Sequence, residues 1–156
     1  MAKSAAEIVL ELAKQKGALK FGEFTLSAGG TSSYYFDGRL LTLDPEGAFR
    51  VAKALLPILR ASGAELIAGP TLGADPIVSA VAVISYTEGK PVPGLIVRAK
   101  AKEHGTGKLV EGPLEAGARV AVVDDTCSTG GSLLHTVEAV EGEGCRVVKV
   151  MCILDR

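Results

Sequence analysis

Asp124 and Asp125 stand side by side at the end of an almost wholly apolar run, Val120-Ala121-Val122-Val123, and lead directly into Thr126-Cys127-Ser128-Thr129-Gly130-Gly131-Ser132. The hydroxyls of Thr126, Ser128, Thr129 and Ser132, with the N–H groups of a glycine turn at the positive end of a helix, make a neutral donor cup suited to a phosphate monoester. The two acids would repel such a phosphate at contact. Their chemistry suits accepting hydrogen bonds from sugar hydroxyls, or holding Mg²⁺ through water. A solvated strand end with a capping acid and an ordinary glycine turn accounts for the composition of this segment about equally well.

A second segment repeats the arrangement. Leu66-Ile67-Ala68-Gly69-Pro70-Thr71-Leu72-Gly73-Ala74-Asp75-Pro76 is again strand, glycine loop and helix start, in which Gly69 and Gly73 let backbone N–H groups turn toward an anion. Alone, a capped helix start explains it better; paired with the first junction it points to a ligand with phosphates at both ends. A third segment, Arg98 to Lys108, concentrates Arg98, Lys100, Lys102, His104 and Lys108 around Gly105 and Gly107. A charged run is most often a solvated loop, but one this long and basic, with glycine hinges, can swing over a neighbouring phosphate site. Two familiar phosphate loops are excluded: Gly107-Lys108 is followed by Leu109 rather than Ser or Thr, and Gly105-Thr106-Gly107 lacks its third glycine at Val110. His135 reads as an ordinary helix-surface histidine, and Cys127 as a small packing residue despite its place beside a helix start.

These loops need elements to hold them on one rim. Ser4 caps a helix to about Lys16, stopped by Gly17, and Asp44-Pro45-Glu46 opens another that reaches Ser62. Between them, short runs at Leu19 to Phe21, Phe24 to Leu26 and Tyr34 to Phe36, broken by glycine and serine, read as antiparallel strands of a small flap over about residues 18–40. Thereafter apolar strands at Leu66 to Ala68, Gly94 to Arg98, Arg119 to Val123 and Arg146 to Leu154 alternate with helices over about 76–86 and 131–143. Strands apolar on both faces, alternating with helices, imply a parallel sheet in an α/β fold, with ligands beyond the carboxyl ends of the strands.

At 156 residues the chain fits one domain, and 47% hydrophobic with 22% charged residues is a globular composition. Seventeen Lys and Arg against 18 Asp and Glu leave a net charge of −1, so no global field attracts nucleic acid or anionic lipid and any anion site is local. Three cysteines, Cys127, Cys145 and Cys152, show no metal-ligand spacing and suit a reducing cytoplasm; no protein-ligated metal site, signal peptide or membrane span is expected.

The three loops, in this order, resemble the type I phosphoribosyltransferases, whose hallmark is a hydrophobic strand, two acids and a Thr/Ser-Gly turn. The likeness covers nearly the whole chain and includes Phe21-Gly22-Glu23-Phe24-Thr25-Leu26, Ser32-Ser33-Tyr34-Tyr35-Phe36-Asp37, Lys102-Glu103-His104-Gly105 and the closing Leu154-Asp155-Arg156. It implies Mg²⁺-dependent transfer of ribose 5-phosphate from phosphoribosyl pyrophosphate to orotate, giving orotidine 5′-phosphate in pyrimidine synthesis. By position, Thr126, Cys127, Ser128, Thr129, Gly130, Gly131 and Ser132 would hold the 5′-phosphate. Asp124 and Asp125 would take the ribose diol, and Thr71, Leu72, Gly73 and Ala74 the pyrophosphate. Arg98, Lys102 and His104 would neutralise pyrophosphate as it leaves, the lysine and histidine reaching into the partner subunit of a homodimer. Phe36 and the flap would cover the base, and Arg156 would meet the orotate carboxylate.

The chain departs from the family pattern in the non-basic turn Ser27-Ala28-Gly29-Gly30-Thr31, in Ser33 where a proline is usual, and in Ala99 directly after the arginine. Two other functions share the fold. A non-catalytic sensor of phosphoribosyl pyrophosphate would be expected to bring a DNA-binding domain or a basic RNA face, whereas here the flap comes first; Lys102 and His104 favour catalysis. A purine phosphoribosyltransferase is disfavoured by Arg156 and the Phe21 to Asp37 segment.

Overall fold

The structure, a computed structural model, describes residues 2–26, 29–101 and 107–156. Helix α1 (Ala5–Gln15) starts where expected, because Ser4 and Glu7 close a reciprocal capping box: Glu7 N donates to Ser4 Oγ, and Ser4 N donates to the Glu7 carboxylate at 2.7 Å. Strands β1 (Leu19–Thr25) and β2 (Thr31–Phe36) pair antiparallel, with an irregularity between Phe21 and Phe24. The two expected runs at Leu19 to Phe21 and Phe24 to Leu26 are thus one strand, bulged at Gly22, whose φ of 154° extends the chain there. A short helix α2 (Arg39–Thr42), which the sequence did not suggest, turns the chain into α3 (Pro45–Ala61), capped by Asp44 accepting from Gly47 N.

The body of the molecule follows as β3 (Leu66–Pro70), α4 (Asp75–Thr87), β4 (Gly94–Val97), β5 (Val110–Glu111), β6 (Arg119–Cys127), α5 (Gly131–Gly142) and β7 (Arg146–Asp155). Among the described residues these strands form one five-stranded sheet in the order β5-β4-β3-β6-β7, parallel throughout except for the antiparallel β5. β6 runs four residues beyond the expected end at Val123, because Thr126 and Cys127 still pair with Leu154 and Asp155 of β7. The two acids therefore sit on the strand itself rather than in a loop.

Alternate residues of the central strands feed two cores. Ile67, Ala121 and Val123 pack with Val51, Leu55, Leu59, Ile77 and Val81 from α3 and α4, while Leu66, Ala68, Val120 and Val122 pack with Leu133 and Val140 of α5. Helices on both faces of a mostly parallel sheet are the arrangement the sequence implied. The parallel strands β3, β4, β6 and β7 end on one rim, and the hairpin β1–β2 leans on the first core through Tyr34 and Phe36. No helix among the described residues is long and apolar enough to cross a membrane.

Candidate active site

The end of β6 carries two acids in different surroundings. Asp124 is buried, 6% exposed, and accepts from Ser132 Oγ at 2.8 Å and from Asp125 N at 2.8 Å. Burial pushes its carboxyl above the usual carboxylate range; the bonds from Ser132 and Asp125 N pull the other way, and the neighbouring charge of Asp125 adds to the rise. Asp124 thereby ties the strand end to the start of α5. Asp125, half-buried, faces a cleft of about 300 Å³ lined by Tyr35, Phe36, Asp37, Gly38, Arg39, Leu72, Gly73 and Asp125 itself.

The backbone closes tightly on Asp125. A Cβ on Gly38 would lie 2.6 Å from its Oδ2, and one on Gly73 would lie 2.8 Å from its Oδ1. The flap exit and the loop after β3 thus approach the acid so closely that a side chain at either glycine would have to displace the carboxylate or the loop. Gly69, by contrast, does not face the cleft. It is buried within β3 and paired with Ile96 of β4, where a side chain would strike Ala74 and the carbonyl of Val123, so it belongs to the sheet and its packing rather than to the expected anion contact. Thr71 donates to the Asp75 carboxylate at 2.9 Å, the Thr71–Leu72 peptide is cis, and no side chain caps α4 at Ala74.

Between β6 and α5 the turn carries Gly130 in the left-handed conformation, φ 81°, and α5 begins with no side-chain cap. Its first-turn N–H groups are left for a ligand, apart from a long 3.5 Å approach of Gly131 N to Thr129 Oγ1. Ser128 and Thr129 are exposed, while Thr126 and Cys127 are half-buried, with Cys127 packed on the second core as expected.

The remaining expected site residues lie around this centre. Phe36 lines the cleft. Arg156 stacks its guanidinium 5.3 Å from the Tyr34 ring centroid and donates its backbone N–H to Cys127 O at 2.8 Å, so the end of β7 touches the flap beside the turn. Arg98 does not line the cleft: its Nε lies 2.9 Å from Glu111 Oε1, brought alongside by the antiparallel β5. His135 is half-buried, with Nε2 2.9 Å from the Arg98 carbonyl oxygen, so it braces the root of the basic loop rather than standing on an open surface. Lys102 and His104 lie outside the described residues. The cleft also holds a cation that the sequence did not single out, Arg39, whose Nε and backbone N both donate to Asp37 Oδ1 at 3.1 Å.

Comparison with known proteins agrees with this geometry. The phosphoribosyl transferase domain family matches residues 45–156. An orotate phosphoribosyltransferase of a Nostoc species is 46% identical over 140 residues, covering 89% of this chain and 68% of that protein. The crystal structure of Mycobacterium tuberculosis orotate phosphoribosyltransferase in complex with Fe(III) dicitrate superposes with a TM-score of 0.78 at 36% identity, covering 97% of this chain and 82% of that one. A structure of the same enzyme in complex with phosphoribosyl pyrophosphate gives a TM-score of 0.76 at 29% identity, covering 100% of this chain and 79% of that one. A parallel sheet bearing two acids, a glycine turn and a facing glycine loop on one rim defines a phosphoribosyltransferase, a pentosyl-transferring enzyme. Within that class the chain belongs to the orotate phosphoribosyltransferase family.

Proposed function

We propose that this chain transfers ribose 5-phosphate from phosphoribosyl pyrophosphate to orotate, forming orotidine 5′-phosphate and pyrophosphate in pyrimidine synthesis. The observation that carries this reading is the placement of Asp125 between the uncapped turn of α5 and the Leu72–Gly73 loop, with Phe36 across the same cleft. In the reaction the anomeric C–O bond breaks and its electron pair leaves with diphosphate. The ring nitrogen of the base supplies the pair for the new C–N bond, and its proton passes to solvent. The sugar crosses an oxocarbenium-like state of the kind common to glycosyl transfer.

The chain's residues divide this work. Thr126 to Ser132 hold the 5′-phosphate through hydroxyls and free N–H groups, Asp124 and Asp125 orient the ribose hydroxyls, and Thr71 to Ala74 receive the diphosphate. The flap with Phe36 covers the base, and Arg156, held at Tyr34, meets its carboxylate. Lys102 and His104 neutralise the leaving group from a neighbouring subunit, and Arg98, paired with Glu111, holds the root of their loop. Exclusion of water by flap and loop protects the sugar from hydrolysis.

Mg²⁺ fits this site as an ion brought by the substrate. Among the described residues no group of three or more His, Cys, Asp or Glu could hold a metal, yet Asp125 and Asp37 offer hard carboxylate oxygens to one already carried by a diphosphate. When bound, the ion stabilises charge on the departing diphosphate. A homodimer is supported by Phe49 and Val83, which stand exposed on α3 and α4 around an apolar pocket lined also by Pro45, Ala48 and Pro76. The three free cysteines suit a reducing cytoplasm. We read residues 1–156 as one domain, with the flap as part of it.

The test is to mix the protein with phosphoribosyl pyrophosphate, Mg²⁺ and orotate and follow the loss of orotate absorbance, with uracil, adenine and guanine in parallel. Magnesium-dependent loss with orotate alone is expected. Turnover of a purine instead, or binding of phosphoribosyl pyrophosphate with no turnover of any base, would replace this reading by one of the two alternatives.

A further inference from the structure

The cleft beside Asp125 has an unbalanced charge pattern for a site that receives a diphosphate. Its lining includes two carboxylates, Asp37 and Asp125, and a single cation, Arg39. Like charges at contact distance oppose a polyanion; the Mg²⁺ that the diphosphate brings offsets part of that field, and a protein cation beside the Leu72–Gly73 loop must supply the rest. Arg98 is engaged by Glu111, and the turn from Ser27 to Thr31 contains no Lys or Arg.

Arg39 is built for this task. Asp37 Oδ1 accepts from both its backbone N and its Nε at 3.1 Å, which fixes one edge of the guanidinium. The two terminal nitrogens make no hydrogen bond or ion pair to the described protein, and the side chain keeps 48% of its surface exposed. An arginine with one edge anchored and the other open presents two parallel N–H donors, the geometry that bridges phosphoryl oxygens. Resting on the reaction proposed above, we propose that Arg39, held by Asp37, binds the diphosphate of phosphoribosyl pyrophosphate through its free edge and stays with it as it leaves. The base carboxylate is the other anion in that reaction; the position of Arg39 beside Leu72 and Gly73, while Arg156 stands at Tyr34, assigns the diphosphate.

Isothermal titration with inorganic diphosphate and Mg²⁺, and separately with ribose 5-phosphate, decides the matter for the wild type, Arg39→Gln and Arg39→Lys. Loss of a charge-assisted bidentate contact predicts diphosphate binding about 10- to 100-fold weaker in Arg39→Gln, with ribose 5-phosphate unmoved and Arg39→Lys recovering part of the affinity. Unchanged diphosphate affinity overturns the assignment. So does an equal loss for ribose 5-phosphate, which would make Arg39 only a brace of the flap, and so does a wild type that binds no diphosphate. Should the glutamine variant fail to fold, Arg39→Lys decides alone: a point charge without the second donor weakens diphosphate several-fold or the assignment falls. A wild type that binds diphosphate through Arg39 yet transfers no sugar to orotate sinks the reaction and leaves this inference standing; normal transfer with an Arg39→Gln that binds diphosphate fully does the reverse.

Discussion

A Cβ on Gly73 would stand 2.8 Å from Oδ1 of Asp125, so the loop after β3 and the acid on β6 share one small space. That contact joins the diphosphate side of the cleft to its ribose side. Adding a methyl group must shift either the loop or the carboxylate by a good fraction of an ångström. Misplacements of about 1 Å can cost about a hundredfold in rate, so Gly73→Ala is expected to lower kcat/KM for phosphoribosyl pyrophosphate about 10- to 100-fold. Thermal melting should show the variant folded, since Gly73 lies outside both cores. Near-normal kinetics would mean that the loop yields freely and that its tight seat on Asp125 serves nothing in the reaction.

Asp125 carries the ribose contact in the proposed reaction, and its amide analogue keeps the shape while losing the charge. Asp125→Asn should weaken use of phosphoribosyl pyrophosphate about tenfold or more, the scale of a charge-assisted hydrogen bond. Steady-state kinetics with orotate at saturation measure it. Unchanged parameters would remove Asp125 from the diol.

The parallel sheet, the helix starts at Ser4 and Asp44 and the rim that carries the acids were all legible, because capping residues and apolar runs act locally. What escaped depended on partners far away in the chain. β6 was expected to stop at Val123, where the polar residues begin, yet pairing of Thr126 and Cys127 with β7 keeps the strand extended through both acids. Arg98 was carried to pyrophosphate by the family resemblance; the two-residue β5 returns Glu111 to its side, a pairing that leaves almost no pattern in so short a segment. Gly69 was expected to face an anion, and its pairing with β4 and its close neighbours Ala74 and Val123 keep it within the sheet instead. Arg39 drew no notice on a four-residue helix; it lines the cleft beside Gly38, whose backbone closes on Asp125. The spacing Asp37-Gly38-Arg39 straight after an aromatic strand was the available signal.

Asp124 makes a prediction about pH. Burial raises its folded-state pKa, so the native protein holds this proton more tightly than the unfolded chain does. Its contribution is most favourable at low pH and declines as pH rises above the unfolded value of about 3.9, levelling off once the raised folded value is passed. Asp124→Asn removes that titration. Denaturant unfolding of both proteins between about pH 3.5 and about pH 7 should therefore show the variant's stability rising relative to wild type as pH increases. A difference that stays flat over that window, or falls, would mean that the bonds from Ser132 and Asp125 N outweigh desolvation.

Lys102 belongs to the basic loop whose root is fixed in three ways: Arg98 N donates to Leu109 O at 2.8 Å, Arg98 Nε pairs with Glu111, and His135 Nε2 meets the Arg98 carbonyl. A loop anchored at its base can present its tip to a leaving group without constraining the ground state. Charge on diphosphate grows only as the anomeric bond breaks, so Lys102→Ala should depress kcat far more than it raises KM, by about a hundredfold or more if the lysine meets developing charge. A pure KM effect would contradict that role. If the lysine acts across a dimer, mixing Lys102→Ala with Asp125→Asn protein forms hybrids in which one site has both residues intact. Activity should then rise above that of either variant alone, toward a quarter of wild type for random exchange, since about half of the dimers are hybrids with one intact site each. Mixtures that show only the average of the two variants, although exchange is demonstrated by mass labelling, would place Lys102 in its own subunit's site.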